Sequence, residues 1–242
     1  MIRTERDGDV AVAEIDRHER RNALDAAHCD DLRAAVTGLA AGGARAVVIT
    51  GAGSTFCAGA DLGGAYDSGF RDALYALLSA ITGAAVPVLA AVNGPAIGAG
   101  AQLAIACDLR VAAPAASFAI PTARLGLAVD PWTIRRLAAL CGTGTAQAVL
   151  IGCDTIDAER AYRSGLASRL GERAAAIAWA RELAPLAPLT LAYNKQALNE
   201  QDGRPATDSE LAKAYEACWA SDDCAEGQRA RAEKRPPRFS GR

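Results

Sequence analysis

Between Asp72 and Asp108 the chain runs for 35 residues, Ala73 to Cys107, without a charged side chain. About 20 consecutive apolar residues can cross a bilayer, so such a run is either a membrane span or the buried middle of a fold. Gly83, Pro87, Asn93, Gly94, Pro95, Gly98 and Gly100 cut it into pieces too short to span. Helix breakers and a side-chain amide at that density would leave backbone groups without partners in lipid. The run therefore reads as core, and the rest of the chain must cover it.

The flanking sequence supplies the cover. Val10 to Ile15 reads as a strand after an Asp7-Gly8 turn. Asp25 is placed to cap a helix whose apolar face is Leu32, Ala35, Val36 and Leu39, and Gly42-Gly43 ends it. Arg45 to Thr50 reads as a strand buried on both faces. Within and beside the uncharged run come a helix over 71–81, a strand over 86–92, a short helix over 99–106 and a strand over 109–112. Alternation of this kind implies an α/β core with parallel strands. After Pro131 the pattern is helical: 133–140, 144–151, 157–164 and 173–186, then, beyond Pro185 and Pro188, 190–199 and 209–220. The tail from Arg229 to Arg242 carries a net charge of +5 within a chain of net −2. Such a tail reads either as a frayed, solvated end or as a local anion site.

Composition excludes several classes of function. A net charge of −2 lacks the basic excess of a general nucleic-acid binder. Seven cysteines without a C-x-x-C pair indicate reduced thiols packed as small apolar residues, with neither a disulfide frame nor a metal site. His18 and His28 are the only histidines, so acid–base chemistry must fall to carboxylates. The charged N-terminal segment has no apolar signal region, and the expected location is cytoplasmic.

Two loops carry the candidate chemistry. Thr50 to Leu62 (TGAGSTFCAGADL) and Val92 to Leu103 (VNGPAIGAGAQL) each follow a buried strand, and their small residues let a ligand approach the main chain. The second runs straight into a helix start, where unpaired N–H groups and the positive dipole end suit an anion. Two amides aimed at one oxygen make an oxyanion hole, and each donor is worth about 10²–10³ in rate. Glycine-rich loops after strands are also common in α/β proteins with no such role.

Together with Arg20-Arg-Asn-Ala-Leu24, Ala106-Cys-Asp-Leu-Arg110 and the ending Lys234 to Arg242, these loops give the sequence its resemblance, over nearly its whole length, to the enoyl-CoA hydratase/isomerase (crotonase) superfamily. The resemblance implies a crotonase-like α/β fold, a spiral of ββα units over residues 1–188 that forms the acyl-CoA site. Residues 189–242 would be a C-terminal helical oligomerisation region that builds homotrimers or dimers of trimers. It implies a coenzyme A thioester as ligand or substrate, in fatty acid metabolism, with no other cofactor. The thioester oxygen would lie between the backbone amides of Ala60 and Ala99. Ala58 and Asp61 would lie near the adenosine, Arg20 or Arg21 would meet the CoA phosphates, and the basic tail with Phe239 would reach the nucleotide.

Two positions depart from the family's hydratases, which use a pair of glutamates. Here those positions are Gln102 and Thr122. Neither an amide nor an aliphatic hydroxyl acts as a base near neutral pH, and each lost acid or base costs about 10²–10⁴ in rate. Asp130, eight residues beyond Thr122, falls where other members of the superfamily carry a working aspartate; Asp130-Pro131 before a helical run is equally a helix cap. Trp132 would wall the acyl pocket or belong to the core. Gln102 would orient the ligand or fill a polar gap. Asp108 and Arg110 read as structural. Two functions follow as expectations: an acyl-CoA-binding protein that is weak or inactive as a hydratase, or an enzyme (enoyl-CoA isomerase, hydratase or thioester hydrolase) working through Asp130.

Overall fold

A computed structural model describes residues 1–61, 68–201 and 219–238. Two antiparallel strands, β1 (Ile2–Asp7) and β2 (Val10–Ile15), open the chain, joined at Gly8 with φ near +59°. Helix α1 (Ala26–Ala41) follows, and the Asp25 carboxylate accepts from the His28 amide at its start. β3 (Ala46–Gly51), α2 (Ser68–Thr82), β4 (Val88–Val92), β5 (Pro95–Ile97), α3 (Ala99–Ala106), β6 (Leu109–Ala112) and β7 (Ser117–Ala119) come next. The second half holds α4 (Pro131–Leu150), β8 (Ile156–Asp157), α5 (Ala158–Arg163), β9 (Arg169–Leu170), α6 (Arg173–Leu183), α7 (Pro188–Gln201) and α8 (Asp222–Ala232).

The main sheet has the order β1-β2-β3-β4-β6-β9, parallel from β2 onward. Its central strands show why the sequence there is apolar without alternation. Val47 and Ile49 of β3, with Val88, Ala90 and Val92 of β4, face the large core under α1, α2 and α3. Ala46, Val48, Leu89 and Ala91 point the other way, against Ala176, Ala180 and Ala184 at the α6 side. Side chains two apart share a face, and a parallel sheet covered on both faces needs apolar residues at every position. The uncharged run is accounted for in full: the body of α2, then β4, β5 and α3. All eight residues of α3 are buried, as expected of a helix that is apolar all round. Among the described residues no helix is long and apolar enough to cross a membrane.

A second sheet, β5-β7-β8, holds the two candidate loops in place. β5 pairs with β7 in parallel, and the first loop joins its other side through a bridge between Cys57 and Ala96. The Cys57 amide donates to Pro95 O and the Ile97 amide to Cys57 O, at 3.1 and 3.0 Å.

One local feature differs from expectation. β1 is an added strand: it pairs residue for residue with β2 although most of its side chains are exposed. The two helices expected at 133–140 and 144–151 are present as the two halves of α4, separated at Gly142 with φ 75°, ψ 153°. Of the two readings left open for the basic tail, the frayed end does not hold from 229 to 238. The Glu226 carboxylate pairs with Arg235 at 2.6 Å and accepts from the Arg238 amide at 2.9 Å, which draws the tail back onto α8. Most of the helix expected at 209–220 lies outside the described residues, as does Phe239.

Candidate functional site

The first loop is set from three sides. Ala60 bridges to Leu24, with the Leu24 amide donating to Gly59 O at 2.8 Å and the Asp61 amide to Leu24 O at 2.6 Å. The Ala58 amide donates to Arg21 O at 3.0 Å, and the Cys57–Ala96 bridge ties the loop to the second one. Two asparagines finish the job. Asn22 is fully buried and donates to Ala52 O and Thr55 O at 2.9 and 2.6 Å, while its carbonyl accepts from the Arg17 amide. Asn93 donates to Gly51 O and Gly53 O, both at 2.9 Å. Main-chain close approach demands glycine here. A Cβ on Gly100 would lie 2.1 Å from Cys57 O, and one on Gly59 (φ +99°) would lie 2.6 Å from Ile97 O and 3.5 Å from Ala99 N. The two loops thus meet backbone to backbone.

That contact opens onto a cavity of about 320 Å³. Ala58, Ala60 and Ala99 line it, with Gln102 and Thr122. Among the described residues the Ala60 and Ala99 amides have no backbone acceptor. Ala99 is the first residue of α3, where no carbonyl lies a turn behind; Ala60 sits on the unbonded side of its bridge to Leu24. The wall away from the loops comes from Phe70, Leu74 and Tyr75 on α2, the turn Thr122–Leu125 with Leu127 and Val129 after it, Trp219, and Arg231 on α8.

Gln102 is buried one turn into α3, and its Nε2 donates to Thr133 Oγ1 at 2.8 Å and to Asp130 Oδ2 at 3.3 Å. Thr133 Oγ1 in turn donates to Asp130 Oδ2 at 2.6 Å. A carboxylate only accepts, so this network turns the NH₂ of Gln102 inward and fixes the amide plane. Asp130 is 0% exposed and does not line the cavity. It caps α4, accepting from the Thr133 amide at 3.3 Å. Burial pushes its carboxyl above the ordinary value, against the lowering effect of its hydrogen bonds to Thr133. Trp132 is 1% exposed, packs in the main core and is likewise absent from the lining. Its place is the core alternative of the two that its sequence position allows.

The remaining expected residues lie beside the cavity and do not line it. Arg20 and Arg21 are exposed on the short 3-10 turn beginning at His18 and just after it. Asp61 pairs with Arg17 at 2.8 Å, and Arg17 reaches Asp25 at 3.5 Å. Asp108 accepts from the Val88 amide at 2.7 Å and pairs with Lys195 at 2.8 Å, and Arg110 is 2% exposed with its guanidinium on the carbonyls of Leu166 and Cys107. Both are framework residues. Cys57, although inside the first loop, is no nucleophile: burial pushes its thiol up to about 12. Among the described residues no group of three or more His, Cys, Asp or Glu is placed to hold a metal ion. A second cavity, about 420 Å³, lies between α4, α6 and α7 and holds none of the expected site residues. Arg17 and most of the far wall are not singled out by sequence, and Asn22 only as part of a matched stretch. Of that wall the sequence marks Thr122 and, within the basic tail, Arg231; the i, i+4 spacing of Phe70 and Leu74 is the signal that could have added the α2 face.

Comparison with known proteins gives the family and the fold. The family model described as enoyl-CoA hydratase/isomerase matches residues 5–242. "Probable enoyl-CoA hydratase echA6" of Mycobacterium bovis is 46% identical over 233 residues, 96% of each chain. Among solved structures, enoyl-CoA hydratase from Bacillus anthracis has a TM-score of 0.75 at 29% identity, covering 100% of this chain and 99% of its own. The crystal structure of methylmalonyl-CoA decarboxylase has a TM-score of 0.89 at 24% identity, covering 100% and 98%, a likeness of fold.

Proposed function

Because the chain belongs to the enoyl-CoA hydratase/isomerase family, we propose that it binds fatty acyl-CoA thioesters through a backbone oxyanion hole and is weak or inactive as a hydratase. The thioester oxygen accepts from the amides of Ala60 and Ala99, with the dipole of α3 adding to the second donor. The adenosine lies by Ala58 and Asp61, and Arg20 or Arg21 meets the phosphates. The basic tail beyond α8, with Phe239, belongs to the nucleotide side, reached from a neighbouring subunit of a homotrimer or a dimer of trimers. The protein works in the cytoplasm, in fatty acid metabolism.

One observation carries the reading. Ala60 and Ala99, whose amides have no backbone acceptor among the described residues, line the cavity, yet no aspartate or glutamate is among its described lining residues. Hydration needs one group to activate water and another to deliver a proton. Gln102 and Thr122 offer an amide and a hydroxyl in their place, so capture of the ligand outlasts the acid–base pair.

A second reading has Asp130 perform isomerisation or thioester hydrolysis. Its favouring observation is a carboxyl held above its usual range, a property that suits proton transfer near neutral pH. Its full burial behind Gln102 weighs against it. One experiment addresses both. Purified protein is titrated calorimetrically with short- and long-chain acyl-CoA and assayed for conversion of 2-enoyl-CoA, beside an Asp130→Asn variant. The expected result is measurable binding with hydration at background. Turnover within about tenfold of an ordinary hydratase would overturn the proposal, and conversion of any acyl-CoA that vanishes in Asp130→Asn would establish the second reading.

A further inference from the structure

Among the described residues, the charged side chains lining the cavity are all of one sign. Arg71, Arg124 and Arg231 border it, and no carboxylate does among the described residues. They come from three separate segments, α2, the Thr122–Leu125 turn and α8, and so from the wall away from the loops that carry Ala60 and Ala99. Phe70, Leu74, Leu125, Leu127 and Val129 make the rest of that wall largely apolar. Each arginine is positioned differently. The Arg71 guanidinium lies over the Trp219 ring, 4.3 Å from its centroid, a stacked arrangement that fixes a planar cation. Arg124 donates through Nη2 to Cys153 O at 3.0 Å, leaving further N–H donors of its fork. Neither Arg124 nor Arg231 forms an ion pair with a described residue.

Like charges beside a shared apolar cavity repel one another, and a ligand anion placed among them relieves that repulsion. The guanidinium fork matches a carboxylate in particular. We infer that the acyl group accepted here carries a carboxylate at its far end, so that the ligand is an ω-carboxyacyl-CoA, a dicarboxylic acid monothioester. The inference rests on the acyl-thioester reading above and adds the second anchor. One end of the acyl unit is held by backbone amides and the other by arginine side chains. The same arginines could instead serve the phosphates of coenzyme A, and the test separates the two anions.

The full chain is titrated with matched pairs: butyryl-CoA against succinyl-CoA, and hexanoyl-CoA against adipoyl-CoA. Both members of a pair carry the same phosphates, so those cancel. The expected result is about tenfold tighter binding of one or both carboxylated partners, with the preference shrinking as salt is raised. In Arg124→Gln/Arg231→Gln the preference should fall to about twofold or less. Both side chains are exposed, and a thermal melt checks that the variant folds; single Arg231→Glu, which should likewise lose the preference, provides a second variant. Equal affinities within each pair, or a preference unchanged in the variants, would overturn the inference. Equal weakening of both members by the substitutions would assign the arginines to the CoA phosphates and overturn it too. If none of the four thioesters binds the unaltered protein, the acyl-CoA reading itself falls.

Discussion

Restoring a glutamate at position 102 should not restore a catalytic base, and the structure says by how much it fails. Gln102 Nε2 lies 3.3 Å from Asp130 Oδ2, and both side chains are buried, at 5% and 0% exposure. In Gln102→Glu a carboxylate oxygen replaces that nitrogen. Two unit charges at this separation repel by about 5 kcal/mol at an effective dielectric constant near 20. A repulsion of that size holds one carboxyl of the pair well above its usual range, so the two share one proton at neutral pH. The sign follows from proton counting. The folded pair binds a proton that the unfolded chain has released, so the variant loses stability as pH rises from the unfolded value to the folded one. Burial already raises Asp130 in both proteins, so relative to the unaltered protein the extra loss begins only where Asp130 would otherwise be ionised, and from there grows by at most about 1.4 kcal/mol per pH unit. Urea denaturation of the two proteins across this range, with slopes compared to check two-state behaviour, measures the difference directly. A difference that stays flat from pH 5 to 7.5 would refute the shared proton, as would hydration of 2-enoyl-CoA at pH 7 by the single variant. Pairing the change with Asp130→Asn removes the repulsion and should remove the pH dependence.

Two further outcomes are expected. Gly59→Ala places a methyl group 2.6 Å from Ile97 O at φ +99°; about 1–3 kcal/mol of stability and most acyl-CoA affinity should be lost by denaturation and calorimetry. Gly8→Ala, at φ +59° with nothing within 4 Å, is the control that bears the backbone cost alone, and wild-type affinity in Gly59→Ala would contradict the packed-loop geometry. For the tail, hydrogen bonds from Arg235, with those from the Arg238 amide and Arg229, hold the Glu226 carboxyl at about 2, below its ordinary 4.5. A depressed carboxyl stabilises above its unfolded value, and that contribution is lost as pH falls from about 4.5 toward 2. Glu226→Gln should therefore melt below the unaltered protein at pH 6, the gap narrowing below pH 4.5; a gap independent of pH would count against the Glu226–Arg235 tie.

What could be read from sequence was whatever depends on neighbours along the chain. The helix cap at Asp25, the doubly buried strands 46–51 and 88–92 and the helix 99–106 each carry a local signature of caps, breakers or apolar runs. β1 carries none. Its residues IRTERD are mostly exposed, and only its pairing with β2 makes it a strand. β5 and β7 have three residues each, too few for any period. The tail reads as loose because its charges are counted alone; its organising carboxylate, Glu226, lies on the helix before it. The candidate site divides along the same line. The loops announce themselves through glycine and position, but the far wall is assembled from α2, a 3-10 turn, Trp219 and α8, and no local pattern links them. Nor does spacing reveal that Gln102, Thr133 and Asp130 form one network across two helices.

In the proposed reading, the anchoring half of the site is main chain. Ala60 and Ala99 would contribute N–H groups that every residue except proline possesses, held by bridges from Cys57 to Ala96 and from Ala60 to Leu24. A substitution at position 102 or 122 leaves those bridges alone. Ligand capture and proton chemistry can therefore change independently over descent, and a chain of this family can shed or exchange a reaction while its grip on the thioester is inherited intact.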